Sequence, residues 1–125
     1  MEIHFDYGDL GDIIKLLADQ PLTRQAYLPV WFPEDTGALH GGRLPCTLGY
    51  QFIMRDGRFH IIYPIRSCDF VRHFRDDIYM TVRLLQWVKE RAAELNSVWD
   101  EVRLGTYTMH ITSLHCFVQD LPRFK

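Results

Sequence analysis

The sequence predicts an α/β or α+β fold in a single domain over residues 1–125. Helical and strand-like hydrophobic patterns are mixed along the chain, and two of the strand patterns are joined by a short turn. The chain of 125 residues is 47% hydrophobic, which is enough for one modest core. We therefore expect helices and strands that share one hydrophobic core.

Two segments carry apolar residues at helical spacing. Asp9–Gln20 is a short amphipathic pattern, in which Asp9 is placed to cap the first turn and Pro21 to end the helix. Asp76–Leu95 keeps apolar residues three or four positions apart, with charged residues between them. Each segment predicts a helix that buries one face.

Two of the predicted strands contain a proline, which restricts how they can pair in a sheet. Thr23–Trp31 is strand-like, although Pro29 favours an edge position or a bulge. Pro64 indicates a bulge or bend in a later strand. Between them, Phe32–Gly42 is predicted to be a loop, because it is rich in proline, glycine and acidic residues. A last strand is predicted at Glu101–Thr112.

The strongest candidates for catalytic and binding residues flank a predicted β-hairpin. Gln51–Met54 and Phe59–Ile62 are strand-like and enclose a turn with Asp-Gly at its centre. A hairpin can bring its outer ends together, so we expect Cys46 to lie beside Arg66-Ser67. A guanidinium next to a thiol favours the reactive thiolate and also binds anions. This pairing suggests a cysteine nucleophile that acts on a phosphorylated substrate.

Charge and cysteine content narrow the class of protein. The net charge is −2 and acidic and basic residues are interspersed, which gives no reason to expect nucleic acid or a membrane as partner. No apolar run approaches the roughly 18 residues of a spanning helix. Three cysteines, Cys46, Cys68 and Cys116, are too few for a disulfide scaffold and favour a reducing, cytoplasmic setting.

The motifs resemble those of the thymidylate synthase family, which includes pyrimidine hydroxymethylases. The resemblance covers nearly the whole chain, from Asp9 to about His115, and six segments occur in the family's order. These are Thr23-Arg24-Gln25, Pro45-Cys46, the hairpin of Gln51-Phe52 and Asp56-Gly57, Arg66-Ser67-Cys68-Asp69, Phe74–Ile78, and Met109–Thr112 with His115. The resemblance implies a mixed, twisted sheet with packed helices and a homodimer formed through the sheet face.

The family's chemistry assigns Cys46 as the nucleophile. The resemblance implies that its thiolate adds to C6 of a pyrimidine nucleoside monophosphate, so that C5 becomes a carbon nucleophile. It also implies that 5,10-methylenetetrahydrofolate donates the one-carbon unit. From the residue alone, a free cysteine is more often a small buried core residue, which is our interpretation of Cys68 and Cys116.

The resemblance also implies a phosphate site. Arg66 and Ser67 would hold the phosphate, since a planar fork of donors and a hydroxyl suit its oxygens. Arg24 would reach the same phosphate from the other subunit. Gln25 stands where the family usually has a second arginine, so this clamp is weaker or completed elsewhere. On composition alone, Arg66 could equally form a surface salt bridge.

The resemblance also implies that Asp77 occupies the position that reads the base. Thymidylate synthases usually have Asn there, which suits uracil, whereas the family's deoxycytidylate hydroxymethylases have Asp. A carboxylate accepts from the 4-amino group of cytosine and can share a proton with N3. The alternative is that Asp76 and Asp77 are solvated acids in the first turn of a helix, where the helix dipole favours them.

Four other positions are assigned by resemblance. Asp69 matches an acid that contacts the ring and the pterin, and His110 matches a residue that binds the 3′-hydroxyl of the sugar. Thr112 departs from the usual tyrosine at the sugar. Thr47 departs from the histidine that usually follows the nucleophile, which fits a base other than uracil.

No metal site is expected. His110, His115 and Cys116 are close in sequence, but their spacing matches no standard zinc site. The remaining histidines are predicted to be ordinary: His4, His40, His60 and His73.

The predicted function is folate-dependent one-carbon transfer to C5 of a pyrimidine nucleoside monophosphate, with hydroxymethylation of dCMP or CMP favoured by Asp77. The alternatives are a thymidylate synthase that acts on dUMP and a non-catalytic nucleotide-binding or dimerisation module. The family's upstream region, with its catalytic glutamate, and its C-terminal tail have no counterpart in this sequence. We expect either a fragment or a trimmed relative.

Overall fold

The computed structural model describes residues 8–38 and 44–124. Within these ranges, a four-stranded mixed sheet and two α-helices make up the fold. The elements are α1 (Leu10–Asp19), β1 (Tyr27–Pro29), β2 (Gly49–Arg55), β3 (Arg58–Asp69), α2 (Phe74–Leu95) and β4 (Arg103–His115), with short 3₁₀ helices at Pro33–Ala38, Ser97–Glu101 and Val118–Phe124. The strand order is β1-β2-β3-β4, with β3 and β4 parallel and the other pairs antiparallel. The predicted mixed class is confirmed.

Both predicted helices are confirmed. In α1, the Asp9 carboxylate accepts from the backbone N–H of Asp12, and the Asp12 carboxylate accepts from that of Asp9. This reciprocal cap satisfies two of the N–H groups that a helix start leaves unpaired. In α2, every residue that is buried lies on one face: Thr81, Leu85, Val88 and Ala92.

The predicted hairpin is also confirmed. Its turn has positive φ at both central residues, 53° at Asp56 and 71° at Gly57. That backbone twist suits two strands joined by a two-residue turn, and Asp-Gly tolerates it well. Arg55 therefore pairs directly with Arg58 across the turn.

Pro64 interrupts the pairing of β2 with β3, as predicted. The regular ladder ends at Gln51 opposite Ile62, and the next bridge joins Thr47 to Ile65. Residues 48–50 therefore lie opposite only residues 63–64, which is the geometry of a β-bulge. Proline has no N–H to donate to the ladder, whereas its carbonyl still accepts from Leu48 at 3.0 Å. The bulge lies next to the segment that carries Cys46.

Two strands differ in length from the prediction. β1 covers only Tyr27–Pro29 of the predicted Thr23–Trp31, and it lies at the edge of the sheet, where Pro29 is tolerated. β4 extends past the predicted end at Thr112 to His115, because it pairs with the whole length of β3.

The main core lies between the sheet and the helices. Trp99, Phe52, Phe59 and Leu17 are fully buried. The Trp99 ring meets the Phe59 ring edge-on at 4.9 Å, and its indole N–H donates to the carbonyl of Leu17 at 3.1 Å. Trp99 thus connects the sheet to the end of α1. A second cluster, formed by Tyr63, Ile65 and Cys68, continues the core along β3.

We expect Trp99→Phe to destabilise the fold by about 2 kcal/mol, because it removes the indole donor and leaves the buried Leu17 carbonyl unpaired. The matched control is Trp87→Phe at a 43% exposed position, which should change the free energy of unfolding by less than about 0.5 kcal/mol. Urea denaturation measures both. Equal losses at the two positions would contradict the bridging role of Trp99.

Candidate functional site

A cavity of about 540 Å³ opens where β3 ends. It is lined by the segment before β2, the second half of β3, the first turn of α2 and the residues that follow β4. Five of the predicted site residues line it: Cys46, Arg66, Ser67, Asp69 and Asp77.

The bulge brings the Cys46 segment against β3. The backbone N–H of Arg66 donates to the carbonyl of Cys46 at 2.9 Å, and Cys46 itself is exposed at the cavity. The Arg66 guanidinium donates from Nε to the Pro45 carbonyl at 2.9 Å and from Nη2 to the Leu44 carbonyl at 3.1 Å. Trp31 lies 5.8 Å from the same guanidinium. These contacts hold the planar Arg66 guanidinium beside the Cys46 thiol.

The charge of Arg66 suits an anionic ligand. Within the described part of the chain its two hydrogen bonds go to neutral carbonyls, which orient the guanidinium without cancelling its positive charge. Two of its five N–H groups are used in these bonds. Ser67 adds a hydroxyl to the same wall. A phosphate oxygen is the kind of acceptor that this arrangement binds.

Asp69 presents a buried acceptor to the cavity. Its Oδ1 accepts from the backbone N–H groups of Val71 and Arg72, each at 2.9 Å. The bond from Arg72, ahead of that from Val71, holds the pKa of the carboxyl below its usual range. Oδ2 is buried and has no hydrogen-bond partner within the described part of the chain, with Arg72 Nε at 4.0 Å. Such an acceptor suits an N–H group of a ligand.

Arg72 differs from Arg66 because a carboxylate neutralises it. Its Nε donates to Asp120 at 2.9 Å, and its guanidinium lies 4.6 Å from the Phe117 ring. Asp120 is buried, so this pair ties the chain after β4 to the cavity wall.

Asp77 is partly buried and lies beside a thiol. Burial raises its pKa, an effect that a hydrogen bond from Cys68 and the proximity of His73 oppose. The Cys68 thiol lies 3.7 Å from Asp77 Oδ2, and burial raises the pKa of that thiol to about 11. Cys68 is therefore a neutral donor, and Asp77 holds a proton more readily than an exposed aspartate.

The structure does not bring every predicted residue to this cavity. Arg24 and His110 are exposed and do not line it. Met109 and Ile111 pack against the second core cluster, so His110 between them points to the opposite face of the sheet. Cys68 is buried, as predicted, but it also lines the cavity. The predicted core position of Cys116 is wrong, since it is partly exposed.

Sequence reasoning missed several residues of the wall: Tyr63, Arg72, His73 and Phe117. His73 was predicted to be ordinary, yet it lies at the start of α2 next to the cavity. The interruption at Pro64 was the one available signal, because a bulge changes which side chains face the site. Of the other histidines, His60 accepts from the Thr106 N–H at 2.8 Å, and His4 and His40 lie outside the described residues.

Neither a metal-binding cluster nor a membrane-spanning helix occurs in residues 8–38 and 44–124. No three His, Cys, Asp or Glu side chains are grouped in a way that could hold a metal ion. In the same ranges, no helix combines the length and the apolar character needed to cross a bilayer.

Archaeal proteins are similar to this chain over most of its length. A Methanosarcina barkeri protein is 28% identical over 118 residues, which cover 94% of this chain and 49% of that protein. A Methanosarcina acetivorans protein is 31% identical over 109 residues, 86% of this chain and 45% of that protein. A Methanocaldococcus jannaschii protein is 27% identical over 109 residues, which cover 85% of this chain and 46% of that protein. Each is named "Putative thymidylate synthase".

These similarities support a thymidylate-synthase-like family. The chain spans about half the length of the curated relatives it matches. No family model matches the chain. The similarity covers the segments that form the cavity, since it extends over 94% of the chain.

We expect the three cysteines to react with iodoacetamide at different rates at pH 8. Cys46 is exposed at the cavity and should react first. Cys68 should react slowest, because a thiol pKa of about 11 in place of 9.0 lowers its thiolate fraction about 100-fold, and burial restricts access as well. Peptide mapping by mass spectrometry gives the three rates. Equal rates would contradict the exposure of Cys46 and the burial of Cys68.

We expect Asp77→Asn to raise the melting temperature at pH 8. A carboxyl whose folded-state pKa is raised costs stability above that pKa, where it must be ionised, and the amide removes this cost. The gain should shrink as the pH falls through the raised pKa of Asp77 and vanish below 3.8, where the acid is protonated in both states. Thermal melts between pH 8 and pH 4 measure the trend.

Asp76→Asn is the matched control, because Asp76 is exposed in the same first turn of α2. It should lose about 0.3–1 kcal/mol of helix-dipole stabilisation at pH 8. If Asp77→Asn destabilises the protein as much as Asp76→Asn does, the burial of the Asp77 charge is contradicted.

Proposed function

We propose that this chain carries the nucleotide site of an enzyme that transfers a one-carbon unit to C5 of a pyrimidine nucleoside monophosphate. The observation that carries the proposal is the convergence of Cys46, Arg66 and Asp77 on one cavity. These three groups supply a nucleophile, an anion site and a hydrogen-bonding group for a base. The thymidylate-synthase-like relatives support the same class of reaction.

The proposed reaction begins at the thiol. The Cys46 thiolate forms a bond to C6 of the base, which places electron density on C5. Arg66 and Ser67 hold the phosphate, so the ring is fixed next to the thiol. Two backbone carbonyls orient the guanidinium in advance, which lowers the entropic cost of binding the phosphate correctly.

The proposed base is cytosine. An ionised Asp77 accepts from the 4-amino group, and a protonated one donates to N3. The raised pKa of Asp77, due to burial, supports a carboxyl that shares a proton with N3. Uracil would instead present a carbonyl oxygen to this carboxylate. The proposed product is a 5-hydroxymethyl cytidylate, formed from dCMP or CMP. Water supplies the hydroxyl to the one-carbon unit on C5, C5 loses its proton, and the Cys46–C6 bond breaks to restore the C5–C6 double bond and release the thiolate.

The proposed one-carbon donor is 5,10-methylenetetrahydrofolate. The buried Oδ2 of Asp69, which lacks a hydrogen-bond partner within residues 8–38 and 44–124, fits an N–H donor of a pterin. The low pKa of Asp69, set first by its bond from Arg72, keeps this acceptor ionised. When bound, the folate supplies a one-carbon unit to C5.

We also propose a homodimer in a reducing, cytoplasmic setting. Arg24 is exposed and lies outside the cavity of its own chain, which supports a role at the phosphate of a partner subunit. The three cysteines are free thiols, which supports a reducing compartment.

Isothermal titration with dCMP, CMP and dUMP tests the proposal, with Cys46→Ser as the parent protein to prevent covalent chemistry. We expect a cytidylate to bind at least about 10-fold more tightly than dUMP, because uracil places its O4 carbonyl, which has no proton to donate, against an oxygen of the Asp77 carboxylate. Asp77→Asn should shift the preference toward dUMP, whereas Asp76→Asn should leave it unchanged. Arg66→Ala should weaken the binding of all three nucleotides.

Each other outcome has a distinct meaning. Tighter binding of dUMP, with no effect of Asp77→Asn, would replace the cytidylate assignment with a dUMP-dependent thymidylate synthase. Binding without thiol reactivity at Cys46 would indicate a non-catalytic nucleotide-binding module. Binding of none of the three nucleotides would contradict the proposed site.

A further inference from the structure

Two hydroxyl groups in the cavity have no role in the reaction described above. Thr47 Oγ1 and the phenol oxygen of Tyr63 are hydrogen-bonded at 2.7 Å, and both residues line the cavity that contains Cys46 and Asp77. The Tyr63 ring stacks on the ring of Tyr50, with centroids 4.9 Å apart and planes 16° apart. Tyr63 is only 2% exposed, so stacking and the hydrogen bond hold its hydroxyl in one place.

The fold determines where this pair lies. Thr47 follows Cys46 directly and forms the isolated bridge to Ile65, just beyond the bulge. Tyr63 lies on the core face of β3, two positions before Ile65. The hydroxyl pair is therefore built into the wall next to the nucleophile.

Both hydroxyls are neutral at physiological pH. Burial, with smaller contributions from neighbouring phenols and the Asp77 carboxylate, raises the pKa of Tyr63. Burial is also the main reason that the pKa of Tyr50 is raised. The Tyr50 phenol is also hydrogen-bonded to Thr47 and to Tyr63, so the three hydroxyls form one cluster. If Thr47 donates to one phenol and accepts from the other, a lone pair of its oxygen remains for a ligand donor.

Thr47 is the member of the pair that a ligand can reach. It is partly exposed, whereas Tyr63 is buried behind it. Tyr63 thus acts through Thr47, since its hydrogen bond fixes the orientation of the Thr47 hydroxyl.

We propose that the Thr47 hydroxyl, positioned by Tyr63, is a second recognition group for a 4-aminopyrimidine base. The inference rests on the proposed function. A 4-amino group has two N–H donors, of which Asp77 accepts one and the Thr47 oxygen accepts the other. A wall with two acceptors satisfies both donors, whereas a single carboxylate would leave one unpaired.

The test compares dCMP with the 2-pyrimidinone deoxynucleoside monophosphate, which lacks the 4-amino group and keeps the sugar and phosphate. Affinities are measured by isothermal titration in the Cys46→Ser background. Tyr63→Phe removes only the hydroxyl and keeps the stacked ring, and Thr47→Val removes the hydroxyl of Thr47 at similar volume. Each substitution should weaken the binding of dCMP about 5- to 10-fold. Each should leave the affinity for the pyrimidinone nucleotide within about twofold.

Two controls separate this role from a structural one. Thr47→Ser keeps the hydroxyl and should restore dCMP affinity to within about threefold of the parent. Tyr107→Phe removes another buried phenol, at a residue that does not line the cavity, and should leave both affinities unchanged. Thermal melts of every variant confirm that each remains folded.

An unchanged dCMP affinity in Tyr63→Phe, or an equal loss for both nucleotides, would overturn the inference. Asp77→Asn would still shift the preference between cytidylate and dUMP in that case, so the proposed function would remain. If the parent protein binds neither dCMP nor the pyrimidinone nucleotide, the proposed function fails and this inference fails with it.

Discussion

The missing N–H of Pro64 is the constraint on which the candidate site depends. Because proline cannot donate to the ladder, regular pairing of β2 with β3 stops at Ile62 and resumes one residue out of register at Ile65. The carbonyl of Cys46 then accepts from the N–H of Arg66. Without the bulge, the side chains before β2 would alternate to the opposite faces, and the thiol would leave the wall that it shares with Arg66.

Two carboxyl groups of the cavity differ in their environments and therefore suit different tasks. Asp69 accepts two backbone N–H bonds, led by that of Arg72, which lower its pKa and keep it ionised. Asp77 has the Cys68 thiol as a donor, and burial raises its pKa. One carboxyl is thus a permanent acceptor, whereas the other can hold or release a proton. This difference follows from the local backbone, because Asp69 ends β3 and Asp77 lies in the first turn of α2.

Local sequence predicted what depends on local physics. The Asp9 cap, the Asp-Gly turn and the helical spacing of α2 each involve residues a few positions apart, and the structure confirms all three. The proximity of Cys46 to Arg66 was also predictable, since a hairpin fixes which ends meet. Tyr63 was missed because its place in the wall depends on the bulge. The Arg72–Asp120 pair was missed because it joins residues far apart in the chain, and no periodicity connects them.

The charges of the cavity favour a ligand with two chemically different ends. Arg72 is neutralised by Asp120, whereas the hydrogen bonds that Arg66 makes to described residues go to neutral carbonyls and leave its positive charge in place. Asp69, Asp77 and the Thr47–Tyr63 hydroxyls supply acceptors in the same cavity. Free phosphate would satisfy the guanidinium but be repelled by the carboxylates, and an uncharged base would leave the guanidinium unpaired. A phosphate joined to a base that is rich in N–H donors matches both parts, and the exposed thiol of Cys46 lines the same cavity.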